Sequence, residues 1–334
     1  MNFKRFFAVV KARNIEFFRD RSTLGWNFIF PLLLLVGFSL VFSGDGKSSY
    51  KVGVIESTEG SSAFLETKFI EFIDYQEIDK AKLKLDQHAI DLVIDYPSAQ
   101  YWVNENSPNS YLVEKIFLAS NDEFERNITT GKAIRYVDWV LPGILGMNMM
   151  FSCLFGVGYV IVRYRKNSVL KRLKATPLSA LEFVSAQLIS RMIIVIFTVV
   201  VVYAGANMMF DFYMLGSYLD LIVVGILGAF SLISLGLLVA CRSKSEELIG
   251  GLLNLTSWPM MILSGVWFSL EGAPDFIKVI ADFLPLTHLV SGARKIITEG
   301  ATLAEISYHL SMLSIMSVIF IGLGAYLFSW DAER

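Results

Sequence analysis

The chain is expected to fold as an α-helical polytopic membrane protein with six transmembrane helices. A small α/β domain is expected between helices one and two. Three observations predict this. Of 334 residues, 54% are apolar and only 18% charged, against about 25% charged in a typical soluble domain; the mean hydropathy is +0.54. Six stretches reach the roughly 20 apolar residues that a membrane-spanning helix needs. One long polar segment, residues 45–136, interrupts them after the first.

Several classes fall away on composition. A net charge of −2 and an isoelectric point near 6.0 leave no electrostatic footprint for nucleic acid. Two cysteines, Cys153 and Cys241, cannot frame a disulfide scaffold, and with three histidines a dedicated Cys/His zinc site is not expected.

Residues 1–21 precede the first span and form an amphipathic segment. Phe3, Phe6, Phe7, Val10 and Phe17 recur at helical spacing, with Lys4, Arg5, Lys11 and Arg13 between them. A basic helix with an aromatic face is expected to lie in the membrane interface. Residues 22–44 follow as the first span. Their apolar core is longer than that of a secretory signal and no small-x-small cleavage site follows, so the span is expected to be retained.

Within 45–136, Tyr50-Lys-Val-Gly-Val-Ile-Glu56 reads as a strand. Ser61, Ser62, Phe64, Leu65, Phe69, Phe72 and Ile73 suggest a capped amphipathic helix, and Glu77–Gln87 a second helix. Leu92-Val-Ile-Asp-Tyr-Pro97 reads as a strand stopped by its proline, with Tyr101-Trp-Val103 as a third. Strand, helix, strand implies a parallel pair with a crossover. The stretch Tyr111–Tyr136 is expected to return as helix into the second span.

The remaining spans, within residues 137–334, are 139–162, 192–210, 221–241, 248–270 and 306–330. Between the last two, residues 271–305 are apolar but broken by Pro274, Pro285, Gly292 and Gly300, which suggests short re-entrant helices on the outer side. Basic residues set the orientation. Six lie in residues 1–23 and six in 163–174 (Arg163, Arg165, Lys166, Lys171, Arg172, Lys174), whereas 211–220 has none. Both termini are then cytoplasmic. Segment 45–138, with 17 acidic and 10 basic residues, lies outside, since long domains translocate largely regardless of charge.

No catalytic constellation emerges. Gly44-Asp-Gly-Lys-Ser-Ser49 mimics the end of a phosphate-binding loop but has Val41 where that motif needs glycine. His88, His288 and His309 stand apart in sequence and read as surface or interfacial residues. Asn127-Ile-Thr129 is a formal glycosylation sequon. The polar groups inside the spans are neutral: Asn148, Ser152, Asn207, Asn254, Thr256 and Ser257. Ion pumps usually carry charges there, so an apolar pathway with a neutral polar lining favours lipid-like or amphipathic cargo over ions. Asn148, Ser152, Asn254 and Ser257 are candidates for that pathway or for a dimer seam.

The loop 163–180 carries the most specific signal. Val169–Lys174 reads as a short basic helix ended by Ala175-Thr-Pro177, and a new helix starts near Leu178, with Ser179 and Glu182 spaced as a capping box. A short helix held below the membrane can push on a soluble partner. With its Arg172-Leu-Lys-Ala-Thr-Pro-Leu-Ser-Ala-Leu-Glu-Phe-Val-Ser-Ala-Gln187 stretch, the basic helix before the first span and Phe283-Leu-Pro-Leu-Thr-His-Leu-Val-Ser-Gly-Ala-Arg294 before the last, the chain resembles the permease subunits of type-2 ABC exporters. Val52-Gly-Val-Ile-Glu56 is similar to the start of the large extracytoplasmic domain in one subgroup. Many of those permeases have an acidic residue and Gly-Thr ahead of the coupling helix, where this chain has Lys166, Asn167, Ser168 and Val169.

The resemblance implies a multi-pass protein of a bacterial cytoplasmic membrane and an exporter subunit that is not itself an enzyme. It carries no Walker motif and no cofactor, since ATP-Mg is bound by a separate cytoplasmic ABC ATPase subunit. A second permease chain, identical or homologous, would pair with it, with room for a periplasmic or extracellular adaptor. Leu170, Lys171, Arg172, Leu173, Thr176 and Pro177 would contact the ATPase. Two other readings compete: a receptor or mechanotransmitter whose external domain binds a ligand or protein, and an intramembrane enzyme acting on lipid.

Overall fold

A computed structural model of the protein describes residues 3–41, 50–55, 63–119, 124–131, 133–169, 172, 175–176, 180–241, 245–270 and 274–327. It divides into two units, Val41–Tyr136 and the combination of Met1–Leu40 with Val137–Arg334.

The smaller unit is a three-layer α/β domain. Five strands, β1 (Tyr50–Ile55), β2 (Ile70–Tyr75), β3 (Leu92–Asp95), β4 (Gln100–Asn104) and β5 (Glu125–Thr129), lie in the order β2-β1-β3-β4-β5. β1 runs parallel to both neighbours, with Val52 opposite Phe72 and Leu92; β3 and β4 are antiparallel and β4 and β5 parallel. Strand alternation builds a core on each face. Val52, Val54, Leu92, Ile94, Tyr101 and Val103 meet Phe64 and the α4 residues (Pro108–Leu118) Val113 and Phe117 on one side. Ile55, Val93 and Trp102 meet Ala81 and Leu85 of α3 (Ile78–Asp86) on the other. Ser107 caps α4, its Oγ accepting from the Ser110 amide with Pro108 at the first turn.

Two expectations are corrected here. Residues 63–73 are not one helix: Ala63–Glu66 is a single 3-10 turn, Phe69 takes a left-handed φ of 69°, and Ile70 onward is strand. A bulky residue at positive φ cannot sit inside an α-helix, and pairing with β1 outweighs the helical spacing of the apolar residues. Ser61 and Ser62 lie outside the described residues. Nor is Tyr111–Tyr136 helical throughout, since α4 ends at Leu118 and Glu125–Thr129 is an edge strand beside β4. Asn127 of the sequon is half-buried in that strand.

The larger unit is helical: α1 (Phe3–Arg19), α2 (Arg21–Val41), α5 (Tyr136–Lys166), α6 (Ala180–Phe210), α7 (Tyr218–Ala240), α8 (Glu246–Leu263), α9 (Asp275–Asp282), α10 (Pro285–Arg294, continued by a π-turn to Glu299) and α11 (Ser307–Leu327). Four of these, within Tyr136–Lys166, Ser185–Phe210, Tyr218–Ala240 and Ser307–Leu327, are long and apolar enough to cross a membrane. α9 and α10 with its extension form a pair bent by 99° that passes the same test only together. The count among the described residues is thus four, or five with the bent pair, where six were expected. α8, at 18 residues with Glu246 and Glu247 in its first turn, is marginal; 18 residues rise only about 27 Å, against a hydrocarbon core of about 30 Å. α2 is 21 residues long and contains Pro31. Residues 42–49, which include the Gly44–Ser49 motif, lie outside the described residues, as does Trp330.

The helices associate through small residues, as expected where lipid provides no hydrophobic drive. Gly236 of α7 lies so close to α5 that a Cβ there would sit 3.1 Å from the Leu154 Cα. Hydrogen bonds place the ends. At one end Arg165 of α5 bonds the carbonyls closing α7, and Lys166 reaches Glu246 of α8 at 3.7 Å. At the other, the Tyr213 amide donates to Asp138 Oδ1 at 3.2 Å and the Leu215 amide to the Ile297 carbonyl at 3.0 Å. α1 packs on α6 at the first of these ends, burying Phe6, Val10 and Phe17, with Ala186 of α6 beside Phe6 and Val10; Phe7, Ile15 and Phe18 form a second apolar stripe that stays exposed.

In the α/β unit, Asp91 is buried and its Oδ2 accepts the Lys51 amide at 2.9 Å. Burial raises its carboxyl above the ordinary value of 3.8, only partly offset by the Lys51 amide, the Asn109 side chain and the charges of His88 and Lys51. Folding therefore favours the protonated acid, and its contribution to stability falls as pH rises through the raised value. Asp91→Asn keeps the acceptor and removes the charge. Hydrogen exchange over residues 50–131 of the full chain should show the variant gaining protection relative to wild type from pH 4 to pH 7; a pH-independent offset would contradict this.

Candidate functional site

Loops, helix ends and α1 converge at the basic end of the helical unit, and the polar side chains there are tied to one another. Arg13 of α1 bonds Glu16, Gln187 of α6 (3.0 Å) and Tyr164 of α5 (2.7 Å), with its guanidinium 5.1 Å over the Tyr164 ring. Ser190 of α6 donates to the Asn14 side chain at 2.6 Å. α1 thus touches both helices that flank the 167–179 loop. Hydrogen bonds to charged groups are worth about 1.5–3 kcal/mol each when buried, so α1 is held to α5 and α6 by polar contacts as well as by its buried stripe.

Beneath this cluster lies a cavity of about 370 Å³ walled by α1, α2, α5 and α6. Arg13, Glu16 and Asp20 line it from α1 and the turn after it, Asn27 from α2, Phe151, Ser152, Phe155 and Arg163 from α5, and Gln187, Ser190 and Arg191 from α6. Its walls are polar and apolar in similar measure. Arg191 dominates: its Nε donates to the Ser152 carbonyl at 2.7 Å, its Nη2 to the same carbonyl and to Ser152 Oγ at 2.9 Å. Gly156, one turn on, makes room for it, because a Cβ there would overlap the guanidinium. α6 begins well before the apolar run at Met192, so Arg191 lies within the helix, facing α5.

A second cavity, of about 180 Å³, is almost wholly apolar. Pro142, Leu145, Gly146 and Met149 of α5, Ile196, Val199 and Val200 of α6, Leu221 and Ile222 of α7 and Leu289 of α10 line it, with Tyr203 and Tyr218 edge to face, ring centroids 6.0 Å apart.

Two further arginines bond backbone carbonyls. Arg165, buried, donates to Ala240 (3.2 Å) and Cys241 (2.8 Å), covering the C-terminal carbonyls of α7. Arg294, at the end of α10, stacks on Trp139 (3.8 Å) and donates to the Trp139 and Gly265 carbonyls. Two histidines expected to stand apart are in contact: His288 is fully buried, its Nδ1 3.1 Å from His309 Nδ1, and its Nε2 donates to the Asp282 carbonyl. His309 Nδ1–H is then the donor between the rings. The sequence spacing of 21 residues hides this because α10 and α11 fold back on each other. No group of three or more His, Cys, Asp or Glu suited to a metal ion is found among the described residues. His88, at a φ of 57°, bonds the Gly131 carbonyl.

The sequence-derived candidates separate. Ser152 stands in the polar cavity under Arg191, and Asn148, one turn away and buried, donates to the Asn27 carbonyl of α2 at 3.4 Å. Asn254 is exposed on α8 and bonds its own helix at Gly250, while Ser257 is buried and bonds the Asn254 carbonyl; neither lines the cavity that holds Ser152. Val169 and Arg172 are helical, with the Arg172 amide on the Ser168 carbonyl, and Arg172 and Thr176 are exposed. Leu170, Lys171, Leu173, Pro177 and Ser179 lie outside the described residues. Arg165 and Arg191 had no signal beyond being basic residues near a span end.

Comparison with known proteins bears on the same helices. The model of a family described as ABC-2 family transporter protein matches residues 21–326. The chain belongs to the ABC-2 transporter family. It is also similar to two Bacillus subtilis (strain 168) proteins, "Putative transport permease YvfS" at 24% identity over 161 residues and linearmycin resistance permease protein LnrN at 26% over 163. The similar stretches cover 46% and 48% of this chain, and 63% and 42% of those relatives, less than two thirds of either. Family and apolar helices together make it a multi-pass membrane protein of a transporter family; the 167–179 loop lies inside the matched region, and so do the α2, α5 and α6 walls of the polar cavity.

Arg165→Leu should leave the closing carbonyls of α7 without their charged donor. The purified chain is expected to lose about 2 kcal/mol, a charge-assisted pair's worth, read as a lowered midpoint in detergent thermal unfolding; an unchanged midpoint would show that the cap is dispensable.

Proposed function

We propose that the protein is the membrane-spanning subunit of an ATP-driven exporter, itself non-catalytic, that moves an amphipathic drug-like or lipid-like substrate out of the cytoplasm or inner leaflet. The reading takes α2, α5, α6, α7, α8 and α11 as six spans, with the bent α9–α10 pair re-entering from the opposite side. The basic end, with Arg163, Arg165, Lys166 and Arg172, is cytoplasmic by the positive-inside rule, which places both termini there, in a bacterial inner membrane.

The observation that carries the proposal is the bracing of the loop between α5 and α6. Its two flanks, Tyr164 and Gln187, are both bonded by Arg13. A force on exposed Arg172 and Thr176 would pass into α5, α6 and α1 together rather than dissipate in a loose loop. In this reading a separate ATPase dimer beneath Leu170, Lys171, Arg172, Leu173, Thr176 and Pro177 closes on ATP. It tilts α5 and α6 in two paired permease chains and alternates access to the pathway between them. The low share of charge along the helices supports an amphipathic rather than an ionic cargo. A relative named as a resistance permease supports the outward direction.

The test is purification of the tagged chain from its native membrane in mild detergent, with its companions identified and ATP hydrolysis measured. A stoichiometric ATPase is expected, with at least a tenfold loss of its recovery, about 1.4 kcal/mol of binding, on combining Arg172→Glu with Leu173→Asp. A chain that arrives with partners on residues 45–136 and no ATPase would replace this reading with that of a receptor.

A further inference from the structure

The polar cavity has a chemistry that the transport reading alone does not specify. Its lining is mixed, with Phe151, Phe155 and Ile194 alongside Arg13, Arg163 and Arg191, Ser152, Asn27 and Gln187. Its two carboxylates do not balance the three guanidinium groups. Glu16 already accepts from Arg13 and from Tyr164 (3.0 Å), and Asp20 has a partner of its own. Arg163 makes no ion pair among the described residues and is exposed.

Arg191 is the sharper signal. Its side chain is half-buried, yet it bonds no carboxylate: Nε and Nη2 are spent on the Ser152 carbonyl and hydroxyl, and Nη1 has no hydrogen-bond partner among the described residues. A guanidinium offers five donors in a planar fork, so the donors not spent on Ser152 are open to a ligand entering the cavity that Arg191 lines. The depth is also informative. Arg191 directly precedes the apolar run Met192–Phe210, at the boundary where polar headgroups meet hydrocarbon. An anion bound at Nη1 and Arg163 could thus keep an apolar tail along Phe151, Phe155 and Ile194.

We propose that this cavity is a headgroup site for an amphipathic organic anion, a carboxylate or phosphate on an apolar tail, with Arg191 as the residue that recognises the charge. The proposal rests on the permease reading and narrows its substrate to anionic amphiphiles loaded from the basic end. Gly156 then has a definite role, as the notch that lets the guanidinium lie flat against α5. The apolar cavity at Met149 and Tyr203 holds no cation and would not select a headgroup.

The experiment uses the full chain in phosphatidylcholine nanodiscs and diazirine-bearing hexadecanoic acid, with its methyl ester and the corresponding amine as comparators. Cross-linked peptides are mapped, with labelling of α11 as the reference within each sample. The acid should label the α5 and α6 segments around Phe155 and Arg191 at least tenfold more than the ester or amine. Dodecyl phosphate should displace it and inorganic phosphate should not. Arg191→Gln should cut that labelling about tenfold or more. Gly156→Ala, which retains the arginine but pushes its head out of the notch, should do likewise and guards against a folding defect in the first variant. Equal labelling by acid and ester, with both variants like wild type, would overturn the proposal in favour of an unselective apolar crevice. Displacement by inorganic phosphate alone would overturn the amphiphile in favour of a simple anion. No ATPase is present in this assay, so its failure leaves the permease reading intact, and loss of ATPase co-purification leaves this result intact.

Discussion

The helical unit depends on how it disposes of arginines between apolar helices. Hydrocarbon cannot solvate a guanidinium, and the described interior supplies few carboxylates. The solution is to turn the donors onto backbone oxygens that helix geometry leaves accessible. Arg191 takes the Ser152 carbonyl and hydroxyl, Arg165 the carbonyls that close α7, and Arg294 the Trp139 and Gly265 carbonyls while stacking on the indole. Each bond fixes one helix against another at a definite depth, which a dispersive contact between leucines cannot do.

Close approach follows from the same need. Arg191 lies against α5 only because Gly156 has no side chain, and α7 lies against α5 only because Gly236 has none. Where α1 joins, the mechanism shifts to mixed contacts: a buried stripe of Phe6, Val10 and Phe17, and the Arg13 cluster reaching Tyr164 and Gln187. The loop between α5 and α6 is therefore braced on both flanks from a single helix. Such an arrangement suits a part that must transmit movement, since displacement of one flank is carried to the other.

How much was legible differs between the two units. In the α/β domain the strands at 50–55, 92–95 and 100–104 and the helix at 78–86 follow from alternation and turn chemistry. The segment 63–75 does not, because Phe64, Phe69, Phe72 and Ile73 fit a helical stripe as well as a strand. Only pairing with β1 decides between them. Likewise 125–129, with two charged residues and one aliphatic, has no strand signature and is recruited by the free edge of β4. For the candidate site, Ser152 and Asn148 were legible as polar residues on an apolar helix. Asn254 and Ser257 share that signature, yet their partners lie on α8 itself. A polar residue in a span announces a hydrogen bond, not its direction.

Composition and periodicity by themselves determined that the chain is membrane-embedded, that a polar domain interrupts it early, and that basic residues gather in the segments flanking alternate helices. These are one-dimensional properties, set by the transfer energy of each residue and the length a helix needs to cross hydrocarbon. The tertiary structure alone decided that His288 meets His309, that Arg165 caps a helix 75 residues away and that Arg191 turns inward onto Ser152. The reason is geometric. A charged residue at the edge of an apolar run can snorkel to water or turn onto a neighbouring backbone, and which it does depends on whether the facing helix offers a notch such as Gly156. That notch belongs to another helix, 35 residues away, and no local pattern records that the two will meet.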